Sequence, residues 1–496
     1  MQHRYAKLDS NWLLRGWSDM PLAMVNWKTG QLRQLGKDTF YVAKSCDGQT
    51  DFGSLAFLPG HIKLLEKFIN EGIVRECTDK ESLEKVQEYR QAKNPMINEI
   101  NWAITSHCNM NCRYCFMESP SGRYGHLNLE TIKLLIKQFE RANVLQVSLT
   151  GGEPLLRDDL LEIIKELTAK RIRIVDIATN GTLITASLLD SIKRLGQTPE
   201  FRISFDGTGV HDIMRGSQGT EARVIESIQN VMAAGLTVTV TTTLDRDNLS
   251  AQLKTYKLIK NLGVPVWLLG RPQTTGNWCG GTTALSTEEM AETCQDLLQQ
   301  WLADGRPFCI LLERFFCGSP IIQSESKHGL HEPKHGLHES KHGLHESFSS
   351  DSYECQSVRE KSYLLPDGRL LPCAGYTGTS LHDKMPNLLE FELSEIWSAS
   401  TLRSLVDMKK SEVLANNSEC ATCEMFSDCG AGCRAYALTE AGSLMAKDPV
   451  ACAVWKRGYR QLFNGIAKAR TENVLNNQGA GVLHAADRTS KTLQRR

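Results

Sequence analysis

The sequence predicts an α/β fold, a partial (β/α)6, TIM-like barrel set between a small N-terminal unit and a cysteine-rich C-terminal one. Six apolar, strand-like runs alternate with helix-length spacers from about 99 to 271, the pattern of a parallel sheet that is curved or partly closed. Two motifs that carry chemistry, Cys108-Asn-Met-Asn-Cys112-Arg-Tyr-Cys115 and Thr150-Gly151-Gly152-Glu153-Pro154, each follow such a run directly. Parallel α/β sheets gather their chemistry at the carboxyl ends of the strands, so motif position and fold agree.

Composition narrows the class. The chain has 496 residues, 41% of them hydrophobic, enough for two or three domains with their own cores. Charged side chains balance to a formal net charge of zero, which disfavours nucleic acid or an anionic membrane surface as partner. No run reaches the length of a membrane span, and Met1-Gln2-His3-Arg4-Tyr5 lacks the apolar core of a signal peptide, so a cytoplasmic location is expected. In that reducing compartment the 16 cysteines point to metal ligation rather than disulfides, the more so because most of them fall into spaced groups.

Residues 1–90 read as a separate unit. Leu13 to Leu35 alternates around Lys28-Thr29-Gly30 as a β-hairpin, and a short helix then runs to the breaker Asp47-Gly48. His61 to Ile69 has helical spacing, ends at Gly72, and precedes the strand-like Ile73-Val74. Hairpin, helices and short strand make a winged-helix pattern. It resembles the element that clamps the leader of a precursor peptide in maturation enzymes; a capping domain is the plainer reading.

The core, 99–275, opens with strand Ile100–Thr105 and the cysteine loop. An amphipathic helix over Leu129–Ala142 and strand Leu145–Leu149 follow. Ile172–Ala178, Phe201–Phe205, Thr237–Thr243 and Pro265–Leu269 supply the other strands. Residues 276–350 are expected to be a linker. Within it Lys327-His328-Gly329-Leu330-His331-Glu332 recurs at Lys334 and Lys341 with a seven-residue period; a glycine and a single apolar residue per copy exclude a coiled coil and indicate a disordered insertion. A cysteine-rich domain over 351–460 and a helix end with a loose, basic tail over 461–496 complete the chain.

The two core motifs, in this order and context, resemble the radical S-adenosylmethionine (SAM) superfamily. The three-then-two spacing of Cys108, Cys112 and Cys115 supplies three thiolates with no fourth partner nearby, unlike a zinc knuckle, and leaves one iron for a small molecule. The resemblance implies a four-iron cluster on these cysteines, its fourth iron chelated by the amine and carboxylate of SAM. It implies reductive cleavage of SAM to methionine and a 5′-deoxyadenosyl radical that abstracts hydrogen from an unactivated carbon. Tyr114 matches the aromatic that packs near the adenine, against ordinary loop packing as the alternative. Gly151 and Gly152 would let backbone approach the methionine amine, and Glu153 would shape the loop or meet that amine. Asn180, in Ala178-Thr179-Asn180-Gly181-Thr182, and Ser204, in Ser204-Phe205-Asp206-Gly207, sit at strand ends that resemble SAM-contacting edges. Ser204 and Arg215 match positions that bind the ribose and the methionine carboxylate, for which a guanidinium fork is suited. Strand caps or surface ion pairs are the alternatives.

Cys355, Gly368 and Cys373, then Cys420-x2-Cys423-x5-Cys429-x3-Cys433 and Cys452, match the signature of the SPASM domain, the auxiliary-cluster extension of radical SAM peptide maturases. A zinc ribbon would account for Cys420-x2-Cys423 alone. The match implies an outer four-iron cluster on Cys420, Cys423, Cys429 and Cys452, and an inner one on Cys355, Cys373 and Cys433, making three [4Fe-4S] clusters in all. The inner set lacks a fourth cysteine; Cys317 is the expected ligand, a substrate thiolate the alternative. Cys46, Cys77, Cys279, Cys294 and Cys309 show no metal spacing and read as small buried apolar residues.

Auxiliary clusters suit reactions that must remove a second electron. The expected function is therefore a peptide maturase that cross-links a ribosomally made precursor peptide with a leader, through a thioether or carbon–carbon bond. A flavodoxin or ferredoxin would be the reductant. A formylglycine-forming enzyme of the sulfatase-maturase kind is the alternative within the family; those enzymes carry an aspartate after the cysteine matching Cys373, where this chain has Ala374-Gly375-Tyr376. A non-catalytic metal-binding regulator is the alternative outside it, and neutral charge disfavours DNA as its target.

Overall fold

Short alternating segments build two small, mostly antiparallel sheets before the main sheet begins. The computed structural model describes residues 3–54, 56–278, 283–313, 321–322, 351–355 and 357–468. β1 (Tyr5–Leu8), β2 (Trp12–Gly16), β3 (Ala23–Asn26) and β4 (Gln31–Gln34) lead to α1 (Lys37–Ser45), β5 (Asp47–Asp51), α2 (Pro59–Asn70), β6 (Val74–Cys77) and β7 (Arg90–Gln91). β2, β3 and β4 form a meander, so Leu13–Leu35 is three strands rather than one hairpin. Its expected turn is present: Gly30 has φ 75°, and Asn26 Oδ1 accepts from the N–H groups of Lys28 and Thr29. β6 pairs not with this hairpin but with β1, whose other edge takes β5. β1 has only 4 residues, too few for its pattern to stand out in the sequence. Asp47-Gly48 ends α1 as expected and then opens β5. α1 and α2 cover this second sheet through Val42, Ala43, Leu65 and Phe68, packed on Ala6, Leu8, Phe52 and Ile73.

The core follows as β8 (Glu99–Ala103), α3 (Leu129–Arg141), β9 (Gln146–Thr150), α4 (Leu160–Ala169), β10 (Arg173–Thr179), α5 (Ala186–Arg194), β11 (Glu200–Ser204), α6 (His211–Arg215), α7 (Thr220–Ala233), β12 (Val238–Thr243), α8 (Gln252–Leu262) and β13 (Val266–Gly270). All the expected strands are present, each parallel to the next in sequence order. Their alternation sorts the two faces of the sheet. Along β11, Phe201 and Ile203 are buried in the main apolar core, while Arg202 and Ser204 line a cavity on the other side.

The parallel run extends beyond both expected ends. Residues 276–350, expected as a linker, contain α9 (Thr287–Ala303) and β14 (Cys309–Glu313), and β14 pairs in parallel with β13. α9 forms because Ser286 and Glu289 make a capping box and Met290, Ala291, Cys294, Leu297, Leu298 and Trp301 fall on one buried face. β15 (Ile321–Ile322) adds antiparallel to β14. On the opposite side α10 (Ser357–Glu360) leads into β16 (Lys361–Leu364), parallel to β8, and then β17 (Leu370–Leu371). Among the described residues the sheet has 10 strands and ends at β15 and β17, which are not bonded to each other, so the barrel described is open. Helices α11 (Leu393–Ser398), α12 (Thr401–Val406), α13 (Lys410–Asn416), α14 (Ser418–Ala421), α15 (Phe426–Cys429), α16 (Arg434–Ala441), α17 (Pro449–Lys456) and α18 (Tyr459–Lys468) complete the described chain. Cys279, Cys317, the histidine-rich repeat and the residues after 468 lie outside the described residues. Cys46, Cys294 and Cys309 are buried as expected, whereas Cys77 is half-buried. No helix among the described residues is long and apolar enough to cross a membrane.

The N-terminal unit docks on the amino ends of the core strands. Gly30 at the hairpin tip lies against Arg173 and Gln146, which open β10 and β9, and Lys28 Nζ donates to Gly196 O. Arg171 pairs with Glu84 at 2.7 Å. Asn143 is the centre of the junction: its Nδ2 donates to the carbonyls of Gly16 and Arg90 at 2.9 Å each, and its Oδ1 accepts from Arg90 Nε at 2.7 Å. It is buried and left-handed, at φ 55°. Asn143→Leu should therefore cost about 2–4 kcal/mol in orphaned polar groups and backbone strain. Limited proteolysis should then release the N-terminal unit faster than from the parent chain; an unchanged release rate would rule Asn143 out as the anchor.

Candidate active site

Backbone hydrogen bonds clasp the cysteine loop to the turn after β9. Ile104 N donates to Thr150 O at 2.9 Å, Gly152 N to Thr105 O at 2.7 Å, and Glu153 N to His107 O at 2.8 Å. No side chain fits between them. A Cβ on Gly151 would sit 2.2 Å from Thr105 O and one on Gly152 2.2 Å from His107 O, and Gly151 also has φ 141°. Besides the space the glycines are expected to clear for a ligand amine, the approach of the cysteine loop itself demands glycine at both positions. Glu153 is fully buried behind this turn, accepting from Asn180 N at 2.7 Å, Leu155 N at 3.0 Å and Thr179 Oγ1 at 2.8 Å. Burial pushes its carboxyl up to about 7 against the pull of those donors. It shapes the loop, joining the end of β9 to the end of β10.

Cys108, Cys112 and Cys115 converge on a cavity of about 310 Å³ at the carboxyl ends of β9 to β13. Tyr114, Gly151, Gly152, Asn180, Ser204 and Arg215 line the same cavity, so the expected contacts other than Glu153 are brought together. Each sulfur accepts at least one N–H. Asn180 Nδ2 lies 3.9 Å from Cys108 Sγ, Arg215 NH1 3.7 Å from Cys112 Sγ, and Ser119 N 3.4 Å from Cys115 Sγ. Met110, Met214 and Trp278 pack an apolar shell around them. Burial pushes the Cys108 thiol up to about 12 and raises that of Cys112. A bound iron would replace those protons. Among the described residues no three His, Cys, Asp or Glu side chains are set to hold a single metal ion. A four-iron cluster would take each thiolate on a separate iron, farther apart than the ligands of one ion. Three thiolates, a donor on each and an apolar shell fit such a cluster.

Two further residues escape sequence reasoning. Arg113, inside the cysteine motif, ties the loop to the β12–α8 connection through Asp245 Oδ1 at 3.0 Å and Asp247 Oδ2 at 2.7 Å. Asp206 is wholly buried and lies 2.7 Å from Arg215 Nε, so the arginine expected to meet a ligand carboxylate already has one. Tyr114 Oη donates to the same carboxylate, and Arg215 stacks 5.3 Å over the Tyr114 ring. The strand-end position of Asp206 is the only local signal it gives. His211 accepts from Asp206 N through Nδ1 at 3.1 Å and stacks on Phe205 with centroids 5.0 Å apart.

The C-terminal cysteines also assemble. Cys420, Cys423, Cys429 and Cys452 line one cavity of about 30 Å³. Cys355, Cys373 and Cys433 surround Tyr376 closely enough for all three to act on its phenol. Cys373 of this trio lies near the main cavity: the position of a Cβ on Gly375 is 3.4 Å from Cys373 Sγ and 3.5 Å from Gln273 Nε2, and Gln273 lines that cavity. Asp448 joins the two sets. Its Oδ2 accepts from Cys433 N at 3.0 Å, while Oδ1 caps α17, which carries Cys452, through Val450 N at 2.9 Å and Ala451 N at 3.1 Å.

Two outcomes check this geometry. Gly151→Ala should unseat the cysteine loop and lower bound iron by about four per chain, as measured in anaerobically reconstituted protein. His211 is held neutral, since burial and then Arg215 lower it to about 4. A depressed histidine contributes stability that is present above its unfolded value near 6.5 and lost as pH falls toward 4. The urea midpoint of the parent should therefore drop more steeply across that window than that of His211→Gln, by at most about 3 kcal/mol in total.

Comparison with known proteins places this site. Residues 102–265 match the Radical SAM superfamily. An AdoMet-dependent heme synthase of Oleidesulfovibrio alaskensis is 28% identical over 370 residues, covering 72% of this chain and 87% of that protein. A PqqA peptide cyclase of Gluconobacter oxydans is 24% identical over 353 residues, covering 70% of this chain and 88% of that one. The solved structure of Streptococcus suis SuiB bound to precursor peptide SuiA covers 90% of this chain and 99% of its own, with a TM-score of 0.62 at 13% identity, a likeness of fold. Residues 102–265, about a third of the chain, thus carry a radical SAM domain, and the match rests on that segment.

Proposed function

We propose that the chain is a maturase that holds the leader of a ribosomally made precursor peptide and introduces an oxidative cross-link, thioether or carbon–carbon. The observation that carries this reading is the position of the Cys355, Cys373 and Cys433 trio, whose Cys373 lies near the cavity at Gln273. A substrate seated in that cavity would lie between two metal-binding sets. When bound, SAM and the clusters supply hydrogen abstraction from an unactivated carbon and acceptance of a second electron. The protein's part is to hold and orient. Cys108, Cys112 and Cys115 seat the first cluster, Asn180, Ser204 and Arg215 face the SAM space, and Met110, Met214 and Trp278 keep water from the sulfurs. In this reading 351–460 is a SPASM domain and 1–90 the leader-binding unit. Similarity to a PqqA peptide cyclase, and to the fold of SuiB bound to a precursor peptide, supports a peptide as substrate. The residues after Cys373 disfavour formylglycine formation: Ala374 and Gly375 bring no carboxylate, and Ala435 Cβ is 2.8 Å from where a Gly375 side chain would begin. A cytoplasmic location and a flavodoxin or ferredoxin reductant accompany this reading.

Similarity to an AdoMet-dependent heme synthase favours a second reading, a step in the synthesis of heme. Anaerobic reconstitution should yield about 12 irons per chain, three clusters of four. Reduced with dithionite, the protein should form 5′-deoxyadenosine, faster with a short cysteine-rich peptide encoded beside it, and that peptide should lose two hydrogens in mass per cross-link. Stimulation by an iron porphyrin instead would replace the peptide reading. Colourless, zinc-loaded protein would end both.

A further inference from the structure

We propose that Asp206 is a positioning residue that turns Arg215 onto the Cys112 sulfur, so that Arg215 tunes the N-terminal cluster in addition to facing SAM. Asp206 is fixed from every side. Its backbone O accepts from Asn248 Nδ2 at 2.9 Å and Gln252 Nε2 at 3.0 Å, its N donates to His211 Nδ1 at 3.1 Å, and its Oδ1 accepts from Thr243 N at 3.1 Å. The carboxylate lies against the Nε–NH2 edge of Arg215: Oδ2 is 2.7 Å from Nε as an ion-pair contact without hydrogen-bond alignment, and NH2 donates to Oδ1 at 3.3 Å. That edge is the one a second carboxylate would grip side-on. NH1 remains, and it points at Cys112 Sγ from 3.7 Å.

The helix bearing the arginine is held to the same loop. Asn111 N donates to Arg215 O at 3.3 Å, and Gly216, left-handed at φ 60°, lies so close that a Cβ there would be 2.7 Å from Asn111 O. The guanidinium, the cysteine loop and Asp206 thus form one rigid unit. Hydrogen bonds to cluster sulfurs are among the factors that set reduction potential. A buried cationic donor on Cys112 favours the reduced, more negative cluster, and the low-dielectric surroundings strengthen that effect.

The test is an EPR-monitored redox titration, without SAM, of the cluster whose signal shifts when SAM is later added. Arg215→Gln should lower the potential of that cluster, cutting the ratio of reduced to oxidised cluster at fixed poise by about tenfold. In an Asp206→Asn background the same Arg215→Gln change should have less than half that effect, because the arginine is no longer held on the sulfur. An equal shift in both backgrounds would overturn the role of Asp206, and no shift from Arg215→Gln would overturn the proposal entirely. Tyr114→Phe, which removes the phenol donor to Asp206 with little change in volume, gives an independent arm should Asp206→Asn fail to fold. It should lower the potential in the same direction by less, and an unchanged potential would count against the assembly. Iron content and the SAM-induced signal shift separate these outcomes from loss of the cluster, and none of them depends on which substrate the enzyme takes.

Discussion

The clasp between the cysteine loop and the Gly151-Gly152 turn is the constraint on which the open end of the sheet depends. A loop carrying three metal-binding sulfurs has little regular structure of its own, and loops are ordinarily the mobile part of a fold. Here the loop borrows rigidity from two strands at once, because backbone meets backbone at 2.7–2.9 Å with no side chain between. Glu153 extends the hold to a third strand, and Arg113 to the far side of the sheet. Cavity, sulfurs and donors then keep their relation through the scaffold, which is what a preorganised site requires.

Buried carboxylates recur as junctions. Glu153 joins two strand ends, Asp206 joins β11 to the arginine of α6, and Asp448 joins the inner and outer cysteine sets. Each lies in surroundings that penalise an unpaired charge, so each is worth keeping only with several donors converged on it. Such a junction is unforgiving. Removing one partner leaves a group with nowhere to turn, at a cost of several kcal/mol.

Much of this was legible in the sequence because it is local. The six strands announce themselves by apolar runs, the cysteine loop by spacing, and the turn after β9 by paired glycines. The fourfold cysteine cavity gathers residues whose intervals alone set them apart. α9 was also legible, with its Ser286–Glu289 box and apolar stripe, but the glycine-rich and repetitive surroundings disguise it as linker. What stayed hidden is non-local. Asp206 matters because Tyr114 and Arg215 arrive from other segments, and no short window contains that fact. β6 joins β1 across more than sixty residues of chain, a pairing that no periodicity specifies. A further reason for Gly151 and Gly152 is hidden for the same cause: the crowding atoms belong to a loop forty-odd residues earlier.

The N-terminal unit sits on the amino ends of the core strands, whereas the sulfurs sit at the carboxyl ends. Core strands of 5 to 7 residues put about 17–23 Å of sheet between them. If a peptide is gripped by that unit, its reactive residue must reach around the outside of the barrel, spending roughly half a dozen extended residues on the crossing before any loop is cleared. Architecture of this kind acts as a ruler. On the proposed reading it would select substrates by the distance between the grip and the target, and let the sequence in between vary.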